Sequence, residues 1–423
     1  MSQPNVNQLV SHLFRHEAGK MAAVLTRMVG LQQLHVAEDI VQDTLLQALN
    51  VWKVKGIPEN PPAWLYTVAK RKAIDVVRQR NTHAHIEKEL AQAFKSEWTL
   101  SPAINQLFFD HEIEDSQLRM MFACCHPSIP YESQIALILK TLCGLSISEI
   151  AHSFLTTDDT ITKRLYRARE KIREEGIELE IISPKTLSDR QDTVHHTLYL
   201  LFSEGYNSTH PDKLIRHDLC QEAMRLCLLL TKNKLTHTSN VNALLALMRY
   251  QASRANSRLD DRNNIILLQH QDRMKWNNAL IHQGNLYLDQ ATSGEELSEY
   301  HLEAAIAASH ARAKSFEETD WNKIILLYDL LAQIKSDPII ELNKAIAIGY
   351  GKGAEAGLSY LRAVKGLEAN SIYHAALGDF YSQLNQAESA KASYEKALSL
   401  TQSLSEIDLL KNKIEALRIT FNP

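Results

Sequence analysis

With 423 residues, 45% of them apolar and 23% charged, the chain has the composition of a globular protein large enough for two or three domains. Fourteen glycines and eleven prolines exclude collagen-like and Pro/Gly-rich disordered classes, and no run approaches the ~18 apolar residues of a membrane span. The net charge of −4, from 46 basic and 50 acidic side chains spread evenly over the chain, excludes a basic domain that coats nucleic acid. Any polyanion binding therefore falls to local clusters. The opening MSQPNVNQLV lacks the basic-then-apolar order of a secretory leader. Five cysteines, two of them adjacent, make a poor disulfide framework, so a reduced, cytoplasmic setting is expected.

Apolar residues recur at helical spacing throughout, and alternating β patterns and Asn-Gly hairpin signals are missing, which predicts an all-α protein. Leu9, Leu13, Met21, Leu25 and Met28 form the stripe of a first helix, ended by Gly30. Val36, Ile40, Val41, Leu45 and Ala48 give a second. A third begins at Pro61-Pro62, where a missing N–H costs nothing, with Leu65, Ala69, Ala73 and Val76 inward. That helix also mixes aromatics with cations (Trp64, Tyr66, Lys70, Arg71, Lys72, Arg78, Arg80), a combination that stacks on unpaired bases while holding their backbone. The same aromatics would equally serve a core. Residues 83–114 read as a polar connector.

A second helical unit spans 115–178. Ser146 and Glu149 have the spacing of a capping box, with Leu145 and Ile150 as its hydrophobic staple. A turn at 155–157 leads to a helix with Ile161, Leu165, Ala168 and Ile172 on one face. Lys163, Arg164, Arg167, Lys171 and Arg173 lie on the other. Two short helices joined by a tight turn, the second one basic, describe a helix-turn-helix whose cations read guanine edges or pin phosphates. A solvated basic face on an ordinary hairpin is the competing account.

The order of these pieces resembles an extracytoplasmic-function (ECF) sigma factor of bacterial RNA polymerase. The residues that carry the likeness are 37–44 (AEDIVQDT), 64–75 (WLYTVAKRKAID), 145–151 (LSISEIA) and 160–169 (TITKRLYRAR). The resemblance implies a sigma-2 domain over 5–82 and a sigma-4 domain over 115–178. It makes core polymerase and promoter DNA the partners. Asp39, Gln42 and Asp43 become contacts to core polymerase. Trp64, Lys70, Arg71, Arg78 and Arg80 take the −10 region, and Thr160, Lys163, Arg164, Arg167 and Lys171 the −35 element. Arg71 departs from the asparagine common there, and Leu155 from the glycine common in the turn. Residues 122–127 (FACCHP), 199–206 (YLLFSEGY), 271–273 (QDR) and 319–321 (TDW) further resemble the subgroup with a long C-terminal, tetratricopeptide-like extension that regulates the sigma factor.

The remainder divides into a helical extension, 186–335, and tetratricopeptide-like repeats, 336–415. In the latter, Leu377, Gly378, Tyr381, Ala390, Tyr394 and Ala397 match the repeat spacing, and Ala356, Tyr360 and Ala363 fall 34 residues earlier. Such a solenoid offers a concave surface to a regulatory protein or peptide. Cys124-Cys125-His126 reads as a buried helix end better than as a metal site, because adjacent cysteines do not share one zinc in C-x-x-C geometry. Cys220 and Cys227, seven apart, form a core pattern. Glu204, Asp272, Arg273, Asp320 and Trp321 either line a regulatory pocket or act as caps and buried pairs. With no phosphate loop, nucleophile elbow or H-E-x-x-H motif, no enzymatic activity, metal or cofactor is expected. The alternative function is a one-component helix-turn-helix regulator with a sensing solenoid, to which residues 34–80 would be superfluous.

Overall fold

A computed structural model describes residues 6–80, 106–154, 156–179, 183–208, 214–294 and 296–421. Among these the chain is all-helical, with one isolated β-bridge, Leu259 to Ile265. Two compact units emerge, one of Met1–Leu201 with Gln221–Thr236, the other of Phe202–Cys220 with His237–Pro423.

The first unit opens with α1 (Val6–Val29), α2 (Leu34–Lys55) and α3 (Pro61–Arg80). Their stripes form one core: Met21, Leu25, Met28, Val36, Ile40, Ala48, Leu65, Ala69 and Ala73 are all buried. Leu13 packs against it, while the side chain of Leu9 lies outside the described residues. Gly30 closes α1 at φ 87°, a left-handed conformation that costs glycine little, with its N–H on the Thr26 carbonyl at 2.8 Å. Of the expected connector 83–114, residues 83–105 lie outside the described residues.

There follow α4 (Asp110–Cys124), α5 (Tyr131–Thr141), α6 (Ile147–Ser153) and α7 (Asp158–Glu174). The capping box closes at both ends, the Glu149 N–H donating to Ser146 Oγ at 3.1 Å and the Ser146 N–H to Glu149 Oε2 at 2.7 Å. Leu145 and Ile150 are buried beside it. Cys124 and Cys125 are buried at the end of α4, and burial pushes the Cys124 thiol up to about 12, so it stays protonated. Helices α8 (Pro184–Tyr206) and α9 (His217–Lys232) add residues 184–201 and 221–232 to this unit. Arg190 reaches the Phe122 carbonyl at 3.0 Å, and Glu222 holds Arg225 at 2.6 Å and His16 at 3.1 Å. The compact unit therefore continues past residue 178.

Two of its buried groups make it acid-labile. Burial holds His195 down at about pH 4, below its ordinary 6.5, so protonation favours the unfolded chain. The stability it lends is complete above about pH 6.5 and is lost as pH falls toward 4. Burial opposes the charge of Glu222, but Arg225 and His16 outweigh it and bring the carboxyl to about 2, so its contribution fades between about 4.5 and 2. Urea unfolding at pH 7 and pH 5 should differ by roughly 2 kcal/mol, about 1.4 kcal/mol per unit over the interval. A His195→Phe variant should remove most of that difference; equal stability of the wild type at the two pH values would contradict the account.

The second unit contains α10 (Ser239–Ser253), α11 (Asn278–Ala291), α12 (Glu299–Arg312), α13 (Trp321–Ile334), α14 (Pro338–Lys352), α15 (Ala354–Ala363), α16 (Ser371–Gln383), α17 (Ala387–Leu400) and α18 (Leu404–Phe421). Small residues set helix approach here. A methyl on Gly378 would collide with the Tyr394 ring, and one on Gly357 would come within 2.7 Å of Phe380 Cζ. Ala390, Tyr394 and Ala397 are buried as one face of α17. The residues 34 positions earlier repeat that packing in part: Ala356 and Tyr360 pack half-buried against the neighbouring core, but Gly357, Leu358 and Leu361 are the buried face of α15, and Ala363 is exposed. The tyrosines do recur chemically, Tyr360 donating to Glu341 beside Lys344, and Tyr394 to Asp379 beside Lys413.

Candidate nucleic-acid interface

Helix α7 begins where Thr157 Oγ1 accepts the Thr160 N–H at 3.3 Å, and Thr160 Oγ1 lies 2.9 Å from the same hydroxyl. Two aspartates, Asp158 and Asp159, occupy the first turn, where the helix dipole favours negative charge. Ile161, Leu165, Ala168 and Ile172 are buried, fixing which side faces solvent. The cations then separate by environment. Lys163 is exposed and pairs with Asp159 at 2.6 Å. Lys171 lies between Glu174 at 3.4 Å and Glu175 at 3.0 Å, and bonds to both raise its pKa. Arg164 is partly buried, paired with Glu132 of α5 and stacked over Phe154 at 5.6 Å. Arg167 is exposed, with no ion pair among the described residues. Exposed pairs such as Lys163–Asp159 are worth at most about 1 kcal/mol, so they exchange readily for phosphate. Arg167 has no such pair to exchange among the described residues.

On α3 the aromatic and cationic residues part company. Trp64 packs edge-on against Trp52, centroids 5.5 Å apart, and Tyr66 donates to Glu17 and tilts against Phe108 at 5.7 Å. Both rings thus contribute to the region's core. Lys70 is half-buried and Arg71 exposed. Arg78 and Arg80 fall on the last turns of α3, but their side chains lie outside the described residues, as does Leu155 of the turn.

The outer face of α2 displays Asp39, Gln42 and Asp43, all exposed, with Asp43 3.7 Å from Lys72. Leu46, 59% exposed, and Leu49 continue the same face, and Val54 near the helix end is 84% exposed. These apolar residues escape a sequence reading, because a leucine's exposure is decided by what packs beside it. The helical spacing from Asp39 through Asp43 to Leu46 was the available signal.

The α1–α3 and α4–α7 regions also pack directly on one another. Arg169 of α7 pairs with Glu38 of α2 at 2.7 Å. Arg15 of α1 pairs at 2.9 Å with Glu149, the residue that completes the capping box. Arg27 of α1 holds Glu112 of α4 at 2.6 Å. Between them α1 comes so close to the end of α5 that a methyl on Gly19 would overlap the Leu142 carbonyl. Sequence reading missed these residues, since nothing local marks a contact across 131 or 134 positions.

Beyond residue 201, four of the motif residues, Glu204, Asp272, Arg273 and Asp320, act as fastenings. Asp272 caps the Met274 N–H at 2.9 Å and Asp320 the Lys323 N–H at 3.0 Å. Arg273 donates to the Ala313 carbonyl at 2.9 Å and to Thr319 Oγ1 at 3.2 Å. Glu204 accepts from Ser208 at 2.9 Å.

A helix-turn-helix with a basic outer face, packed on a helical region with its own cationic and acidic faces, defines a DNA-binding transcription protein built from two modules. The sigma-70 region 2 model matches residues 13–82, the sigma-70 region 4 model residues 119–172, and a family of unknown function residues 190–292. An uncharacterized protein of Rhizobium meliloti, R00370, is 32% identical over 91% of both chains. The ECF RNA polymerase sigma factor SigE of Mycolicibacterium smegmatis is 26% identical over 38% of this chain and 59% of its own length. Bacillus subtilis SigW, also an ECF sigma factor, is 24% identical over 37% of this chain and 82% of its own. No solved structure matches the chain. The chain belongs to the ECF-type RNA polymerase sigma factors and carries a helical C-terminal extension. Among its described residues no helix is long and apolar enough to cross a membrane.

Proposed function

We propose that α2 docks on core polymerase through Asp39, Gln42, Asp43 and the neighbouring Leu46 and Leu49. On this reading Lys70 and Arg71 hold the −10 strand, and Arg167, assisted by Lys163 and Thr160, reads the −35 groove. Arg164 and Lys171 support the helix that presents them, and Trp64 holds α3 to the core. The observation that carries the assignment is the split among the α7 cations, with Arg167 alone exposed and without an ion pair among the described residues. A protein that brings polymerase to DNA needs few phosphate contacts of its own, which agrees with the near-neutral charge.

The extension, read as tetratricopeptide-like helix pairs, sets the activity of the sigma domains by contacting them, the polymerase, or a regulatory protein or peptide. Its test is run-off transcription on a genomic promoter library with bacterial core polymerase. The full chain is compared with one ending at Thr236, which retains the Glu222–His16 and Glu222–Arg225 pairs that a cut at residue 180 would remove. The expected result is a change of at least tenfold in transcript yield from the same start sites. Equal yields under every condition would end the regulatory reading, and no new start sites with either chain would end the promoter assignments.

A further inference from the structure

We propose that a cavity within the second unit binds a small organic anion, a carboxylate with an apolar body. The cavity holds about 410 Å³, within the range of small-molecule sites. Trp321 and Tyr350, with centroids 4.9 Å apart, and Phe380 line it with aromatic surface. An aromatic or branched aliphatic body fits such walls.

Charge on the walls is uneven, and the imbalance selects the ligand's sign. Arg258 lines one end, stacked on the Tyr206 ring at 4.0 Å and donating to the Tyr206 carbonyl and to Asn207 Oδ1 at 3.3 Å. These contacts occupy two of five guanidinium donors, and no carboxylate among the described residues lies within ion-pair distance. Burial, with Arg254 nearby, holds the Arg258 pKa below its ordinary value. Arg273 lies behind the His310 wall, donating to the His310 carbonyl, and adds positive charge there that Glu317 partly offsets. His310 also lines the cavity, and its buried Nδ1 has no hydrogen-bond partner among the described residues. Burial, with Arg254 and Arg273, brings the imidazole pKa to about 3, so the ring is neutral.

Of the acidic residues on the same walls, Asp379 is neutralised by Lys413, and Glu406 has a hydroxyl partner. Asp379 accepts from Lys413 at 2.5 and 2.8 Å and from the Tyr394 hydroxyl at 2.6 Å, and Glu406 accepts from Thr401. Neither carboxylate lies within ion-pair distance of Arg258, so among the described residues the charge at that end of the cavity is positive and uncompensated. A bidentate carboxylate on Arg258 is the chemistry that satisfies it. The site stands whether or not the extension governs transcription.

Titration calorimetry on the full-length protein tests this with 1-naphthylacetate, its neutral amide and 1-naphthylmethylamine as probes. The acid should bind once per chain, at least tenfold tighter than the amide. Arg258→Gln should abolish that preference, and Arg258→Lys, which keeps the charge, should retain part of it. Because Arg258 also bonds the Tyr206 carbonyl, a second variant, Ala375→Trp, fills the cavity from the α16 wall. It should abolish binding of acid and amide alike while helical content and melting stay near wild type. Equal binding of acid and amide, tighter binding of the amine, a preference surviving Arg258→Gln, or no binding up to millimolar acid would each overturn the proposal.

Discussion

Replacing Arg167 by alanine should lower transcription from a promoter that depends on its −35 element by about ten- to a hundredfold, the equivalent of one base-edge or groove contact worth about 1–3 kcal/mol. Its binding to core polymerase should be unchanged, because α2 is untouched. The folded protein should be as stable as the wild type, since the side chain is exposed and has no ion pair among the described residues. Arg164→Ala should behave differently. It strands Glu132 and removes the cover over Phe154, so the melting temperature should fall along with the transcription. Paired melting and run-off assays separate the two arginines. Identical profiles for both variants would mean that α7 presents the groups otherwise than described.

A valine at Gly19 should drive the two sigma regions apart. The glycine sits against the backbone of Leu142, and backbone cannot yield as a side-chain tip does. Overpacking of this kind costs about 1–3 kcal/mol. That is enough to compete with the Arg169–Glu38 and Arg15–Glu149 pairs, each partly buried. The separation matters for function. Promoter elements named −10 and −35 lie about 25 base pairs apart, or roughly 85 Å of duplex at ~3.4 Å per pair. On the proposed reading, α7 ion-paired to α2 would not reach the far element while α3 holds the near one. On that reading core polymerase breaks these contacts, and a variant in which they are already broken should need less core enzyme for half-maximal transcription. Small-angle scattering should show a larger radius of gyration for Gly19→Val than for wild type. An unchanged radius together with an unchanged requirement for core enzyme would refute the idea.

Much of the site was legible in the sequence because its signals are local. A capping box needs two residues three apart, a recognition helix needs an apolar stripe with cations on the opposite side, and Pro61 and Gly30 mark helix ends through their own backbone constraints. Each of these depends on neighbours within one or two turns. The period of 34 residues was readable too, but it marks α17 better than α15. Gly357 and Leu361 take the buried positions there, because the approach to Gly349 and Phe380 sets the rotation of the helix.

By itself, then, the amino-acid order determined the helices, their inward faces, the helix-turn-helix and the sigma-type order of parts, since all of these follow from spacing along one chain. Tertiary structure alone decided which α7 arginine is tied to a neighbouring helix and which is left exposed. Arg164 and Arg167 look alike in sequence, and only Glu132 arriving from α5 distinguishes them, whereas the glutamates beside Lys171 lie within about one turn of it and were legible locally. It also decided that Trp64 faces Trp52, that Glu38 and Glu149 tie the two regions together, and that Arg258 ends beside an aromatic cavity with no carboxylate among the described residues to meet it. The physical reason is common to all four. Charge pairing and burial are properties of distance in space, and residues 15 and 149 become neighbours only once the helices between them have packed.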